Sequence, residues 1–201
     1  MADAVTASGS GAFIISDEIY RELYFAPERP ASISEFYPRT VVVSGLSKSM
    51  RMTGWRIGWL AGDAEVIRAA LVLHGYVVTC ASSISQKAAL AAWTEEAAVS
   101  REEMRAIFHR RRDHLLSLIR DELGLRCVTP DGAFYAMVDV SNYGDELRVA
   151  EAGLEQGVVT IPASAFGSES KGYLRISFCA DEQKLSEGVR RLGAALKTIE
   201  I

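Results

Sequence analysis

The sequence is poor in what builds disulfide frameworks, metal centres, membrane spans and nucleic-acid tracks. Its three cysteines, Cys80, Cys127 and Cys179, are widely scattered and form no Cys-x-x-Cys pair. An odd, dispersed set reads as the reduced thiols of a cytoplasmic protein, not as a secreted scaffold. His74, His109 and His114 lack metal-ligand spacing, which leaves them surface or packing roles. No apolar run reaches the roughly 18–20 residues that a bilayer span requires. Met1 to Gly11 is small and polar and carries no leader pattern of basic and apolar regions. With 22 basic against 26 acidic residues the net charge is −4, and no basic face is large enough for nucleic acid. The local exception, Arg110-Arg111-Arg112, lies in a helical pattern with Glu102, Glu103 and Asp113, and reads as a solvated helix face. There is no internal repeat.

What the chain does have is concentrated between Val41 and Gly58. Val41-Val42-Val43 is a short β-branched run that enters a loop of small residues, Ser44-Gly45-Leu46-Ser47-Lys48-Ser49. Such a run reads as a buried strand ending at a site, since open α/β sheets place their chemistry at strand ends. A lysine there can act as a Schiff-base nucleophile, and Arg56, eight positions on, can clamp a phosphate. A solvated lysine and an ion-paired arginine would produce the same spacing, so the stretch alone leaves both readings open.

Along the chain, Phe13 to Ser16 reads as a central parallel strand with Asp17 at its carboxyl end. Val41 to Ser44 and Trp55 to Ala61 read as two further strands. Asp63 caps a helix, Ser82-Ser83 opens a second one through Trp93, and a long third helix runs from about Glu95 to Leu123, ended by Gly124. Leu125 to Val128 and Ala133 to Val140 are expected strands around the turn Pro130-Asp131-Gly132. Glu146 to Gln156 is an expected helix, Val158 to Ile161 and Tyr173 to Phe178 expected strands, and Asp181 caps a last helix through Leu196. Early strands, a long helix and a closing α+β region imply two lobes, 1–100 and 101–201.

The motifs, taken together, resemble the class I/II aminotransferases, enzymes of fold-type I that use pyridoxal 5'-phosphate (PLP). Ser47-Lys48 followed by Gly54-Trp55-Arg56-Ile57-Gly58 resembles the family's cofactor-lysine segment. Ile14 to Tyr20 resembles its strand bearing an aspartate and, three residues later, a tyrosine. Pro130 to Tyr135, Val158 to Gly167 and Tyr173 to Phe178 resemble segments of its small domain. The resemblance implies an α/β fold: part of the PLP-binding large domain, with a mostly parallel sheet, followed by the α+β C-terminal small domain.

It also implies roles. Asp17 would keep the pyridine nitrogen protonated, and Tyr20 would hydrogen-bond the ring oxygen. Lys48 would form the Schiff base and shuttle the substrate's α-proton. Arg56 and Ser47 would hold the phosphate, and Arg175 would clamp the α-carboxylate in a bidentate fork. Without the resemblance Asp17 could equally be a helix cap, Tyr20 a half-buried tyrosine and Arg175 a structural ion pair. Trp55 and Phe134 are expected in the core.

Two positions depart from the family pattern: Gly45 occupies a slot often held by a phosphate-binding serine or threonine, and Pro162-Ala163 stands for Pro-Gly. The segment that in the family precedes the aspartate strand, with its glycine-rich phosphate loop, ring-stacking aromatic and asparagine, has no counterpart ahead of Phe13. The chain therefore reads as a C-terminal half, with an unpaired sheet edge and apolar surface to cover. A homodimer or a complementing N-terminal half would supply the cover. The implied reaction moves an amino group between an amino acid and a 2-oxo acid. The alternatives are a non-catalytic remnant or interaction module of the same fold, and a PLP lyase.

Overall fold

A computed structural model of the chain describes residues 1–199. The chain divides into two compact units, Met1–Glu103 and Met104–Ile201.

The first unit opens on helix α1 (Ala2–Ser8), followed by β1 (Ile14–Asp17), β2 (Thr40–Gly45) and β3 (Gly58–Ala61). The three strands form one sheet in the order β1-β2-β3, with β1 parallel and β3 antiparallel to β2. The chain returns antiparallel because residues 46–57 hold only turns and a short 3-10 segment, Thr53–Trp55. A parallel return needs a longer crossover, usually helical. β1 lies at the edge of these strands, not at the centre, and its Ile15 is 75 % exposed. The expected third strand is trimmed to Gly58, because Arg51 and Arg56 both take left-handed backbone (φ 55° and 50°) and bend the preceding loop.

Helix α2 (Ala64–Val77) starts where the Asp63 carboxylate accepts from the N–H groups of Glu65 and Val66, at 2.8 and 3.3 Å. Helix α3 (Ser83–Ala89) tightens into a 3-10 turn over Leu90–Trp93. The core here is small: Leu46 packs with Ala89 and Ala92, flanked by Met50, Met52 and Ile57. α2 buries none of its residues.

Helix α4 (Glu95–Asp121) ends as Gly124, at φ 65°, lets its own N–H reach Arg120 and the Leu125 N–H reach Ile119. The second unit continues with β4 (Cys127–Val128), β5 (Tyr135–Asp139), α5 (Glu146–Glu155), β6 (Ile161–Pro162), β7 (Tyr173–Ser177) and α6 (Glu182–Leu196). Its antiparallel sheet has the order β4-β5-β7-β6. Leu115 and Ile119 of α4, Val149 of α5 and Val189 and Leu192 of α6 are buried, as are Ala136, Val138 and Leu174 of the sheet. β6 is shorter than the expected Val158–Ile161 strand. The Val158 N–H instead bonds back to Gly153 at 2.9 Å and prolongs the helix end.

Candidate functional site

In the first unit the site grows from the ends of β1 and β2. The ladder continues one residue past β1, where the Glu18 N–H donates to Val43 at 2.8 Å. That bond holds the following turn beside the end of β2. Asp17, exposed at the strand end, accepts from the Ile19 N–H at 3.1 Å and so shapes the turn that presents Tyr20. Behind it, Glu18 accepts from the Ser32 hydroxyl at 2.7 Å, and Arg21 pairs with Glu35 at 2.8 Å.

β2 closes on Gly45, which faces Gly58 of β3. A Cβ on Gly45 would stand 2.8 Å from the Ile57 carbonyl oxygen, and one on Gly58 2.7 Å from that of Ser44. Both positions therefore require glycine for strand approach, which accounts for Gly45 where the family pattern often has a hydroxyl residue. The neighbouring Ser44 turns its hydroxyl to the Glu18 carbonyl, at 3.5 Å.

Past Gly45 the chain coils tightly, with the N–H groups of Met50 and Met52 both reaching the Leu46 carbonyl. Leu46 and Ser49 are buried; Ser47 and Lys48 are half-buried. The Lys48 ammonium lies 5.7 Å from the centre of the Tyr20 ring. The coil is anchored from outside by residues that no local pattern singled out. Arg101 donates to the Ala92 carbonyl at 2.9 Å and lies 3.8 Å from the Met50 sulfur. The Ser85 hydroxyl donates to the Trp55 carbonyl at 2.7 Å. Arg56 folds back to donate to the Thr53 carbonyl at 2.8 Å and is exposed. Trp55, expected in the core, is 44 % exposed: it closes the 3-10 turn with only its backbone pinned.

The donor set at these strand ends suits PLP. It combines a carboxylate for a cationic ring nitrogen, a phenol for a ring oxygen, and a primary amine for an aldehyde. A hydroxyl and a guanidinium remain for a phosphate. A cavity of about 700 Å³ in the same unit is lined instead by Glu18, Ser44, Ser49, Trp59, Trp93 and Arg101. Strand alternation accounts for its missing Asp17: Asp17 is in register with Val43, so its side chain leaves the face opposite to that of Ser44.

Arg175 lies in the second unit, on β7, opposite Met137 of β5 and Ile161 of β6. Its guanidinium carbon sits 4.3 Å from the Tyr135 ring centre and 4.1 Å from that of Phe166. Two ring faces thus hold the plane of the fork, a geometry that favours arginine over lysine. The Arg175 Nε is buried without a hydrogen-bond partner, and an orphaned donor of this kind calls for an acceptor. A planar carboxylate meeting the edge of the fork would supply one. Phe134, expected in the core, is half-buried and stacks on Phe108 at 5.7 Å.

The family model for class I and II aminotransferases matches residues 2–192. The chain is 39 % identical over 194 residues to a probable N-acetyl-LL-diaminopimelate aminotransferase of Bacillus subtilis. It is 38 % identical over 192 residues to an aspartate/prephenate aminotransferase of Thermus thermophilus. These matches take in 94 % and 92 % of this chain and 48 % of each relative. The fold superposes on an aromatic aminotransferase from Pyrococcus horikoshii with a TM-score of 0.91 at 34 % identity, covering 98 % of this chain and 54 % of that one. The chain spans about half the length of the curated relatives it matches.

Proposed function

The chain belongs to the class I and II aminotransferases, and from that premise we propose that it carries the cofactor-lysine half of a PLP-dependent transaminase. The proposed reaction transfers an amino group between an amino acid and a 2-oxo acid. The observation that carries this reading is the Lys48 ammonium set against the Tyr20 ring, on a coil between the ends of an aspartate strand and an arginine turn.

When bound, PLP supplies a ring that accepts the electrons of a bond broken at the substrate's Cα. The chain's own residues would do the rest. Lys48 Nζ would be the cofactor's covalent attachment point and the base that takes the proton from the substrate's Cα and returns one. Asp17 holds the proton on the ring nitrogen. Tyr20 donates to the ring oxygen, and Ser47 and Arg56 hold the phosphate. Arg175 would bind the α-carboxylate edge-on.

We assign the activity to an assembly, either a homodimer or a complex with a complementing N-terminal half. The support is the apolar surface of the first unit: Leu71, Leu73, Tyr76 and Val77 of α2 are 66–89 % exposed, and every β3 residue is exposed. The reading is tested by incubating the chain, alone and with an N-terminal half of a relative, with PLP, a 15N-labelled amino acid and a 2-oxo acid. Label appearing in the new amino acid, and absent for Lys48→Ala, is expected. Lack of transfer in every combination would leave a non-catalytic module as the better description.

A further inference from the structure

The loop that carries Phe166 over Arg175 leaves β6 at Pro162 and enters β7 at Tyr173. It contains two short 3-10 turns, Ala163–Phe166 and Ser168–Ser170. Nothing in its sequence makes it rigid; Gly167 and Gly172 both have positive φ. Its two ends are nevertheless tied to one side chain. Glu146, the first residue of α5, is only 6 % exposed. The Gly172 N–H donates to its Oε2 at 3.1 Å, and the Ser164 side chain, beside the carboxylate, helps to hold it ionised. The Gly172 carbonyl is held in turn by the Val140 N–H at 2.8 Å. A Cβ at residue 172 would press on Ser141 at 3.0 Å, so the turn into β7 closes tightly against the chain that leaves β5.

We propose that Glu146 is the positioning residue of the Arg175 clamp. By bonding the Gly172 end of the 163–172 loop, with Ser164 of its other end beside the same carboxylate, it sets the Phe166 ring on the guanidinium and so aims the fork at an α-carboxylate. Glu146 touches neither ligand nor Arg175; it acts through Ser164, Gly172 and Phe166. The inference rests on the reading of Arg175 as carboxylate clamp. Its carboxyl stays ionised below the ordinary glutamate value of 4.5, held there by Ser164, then by its own and the Gly172 backbone N–H groups. The clasp is therefore closed at neutral pH. Charge-assisted bonds of this kind are stronger than neutral ones, so an amide in place of the carboxylate loosens the loop without removing the acceptor.

The test follows the Arg175 Nε–H signal by NMR in the whole chain, with pyruvate, the simplest 2-oxo acid, as the titrated probe. The wild type is expected to show that signal displaced by its two flanking rings. Glu146→Gln and Ser164→Ala, checked for folding by the rest of the amide spectrum, should move it towards the position of an unstacked arginine. Both should also weaken pyruvate roughly three- to tenfold, the range of one lost bond. Signal and affinity unchanged in a folded Glu146→Gln chain would overturn the proposal. Arg175→Ala separates the two claims. If it leaves pyruvate binding intact the clamp reading fails, and the displaced signal alone then decides whether Glu146 sets the ring.

Discussion

Asp139 ends β5 with its side chain 9 % exposed, accepting from the Ser141 hydroxyl at 2.6 Å and the Ser141 N–H at 3.0 Å. Arg126 adds a contact at 2.6 Å, but its side chain is 85 % exposed, so solvent screens that attraction. The Ser141 bonds accordingly come first in holding the carboxyl below its usual 3.8. A depressed carboxylate contributes stability that is present above the unfolded value and lost as pH falls through the folded one. Asp139→Asn should therefore lower the melting temperature at pH 7, and the gap to wild type should shrink as pH falls below 3.8. Thermal melts across that range check it; an offset that stays constant to the lowest pH would contradict it. Asp17, Lys48 and Arg175 stand out in the sequence because each lies inside a local pattern. Glu146, Arg101 and Ser85 were not, since their partners lie 26, 9 and 30 positions away and leave no periodic trace.

Among the elements, helix starts read well because a cap is a local event. Asp63 and Asp181 both accept from N–H groups of the first turn, as their positions implied. Strand lengths read less well, because the left-handed Arg56 and the helix-end bond of Val158 depend on backbone geometry that β-branched residues do not signal. Helix α1 lies in a stretch that reads only as small and polar. α6 shows where stability resides: it places Leu185, Val189, Leu192 and Ala195 on one buried face. Leu192 is 1 % exposed, so Leu192→Ala removes packed methyl groups and leaves a cavity. The expected loss is about 2–5 kcal/mol, read by urea unfolding of the second unit. A loss under about 0.5 kcal/mol, typical of surface changes, would contradict this account of the core.

Across the whole molecule, burial is uneven. The second unit closes its core with α4, α5, α6 and a four-stranded sheet, whereas the first exposes all of β3 and most of α2. The unpaired edge and apolar surface expected from the sequence are thus present, on β1, β3 and α2. Family and fold were legible because five separate motifs fall in the right order along the chain. No side-chain specificity was legible, since the motifs present are shared by relatives with differently named substrates. Borohydride trapping shows whether Lys48 is the cofactor's attachment point. The chain is incubated with PLP, reduced and digested, and its peptides are weighed. The expected result is a pyridoxyl tag concentrated on Lys48, lost in Lys48→Ala and reduced in Arg56→Ala. A well-folded chain tagged no more at Lys48 than at Lys87 or Lys171 would contradict it.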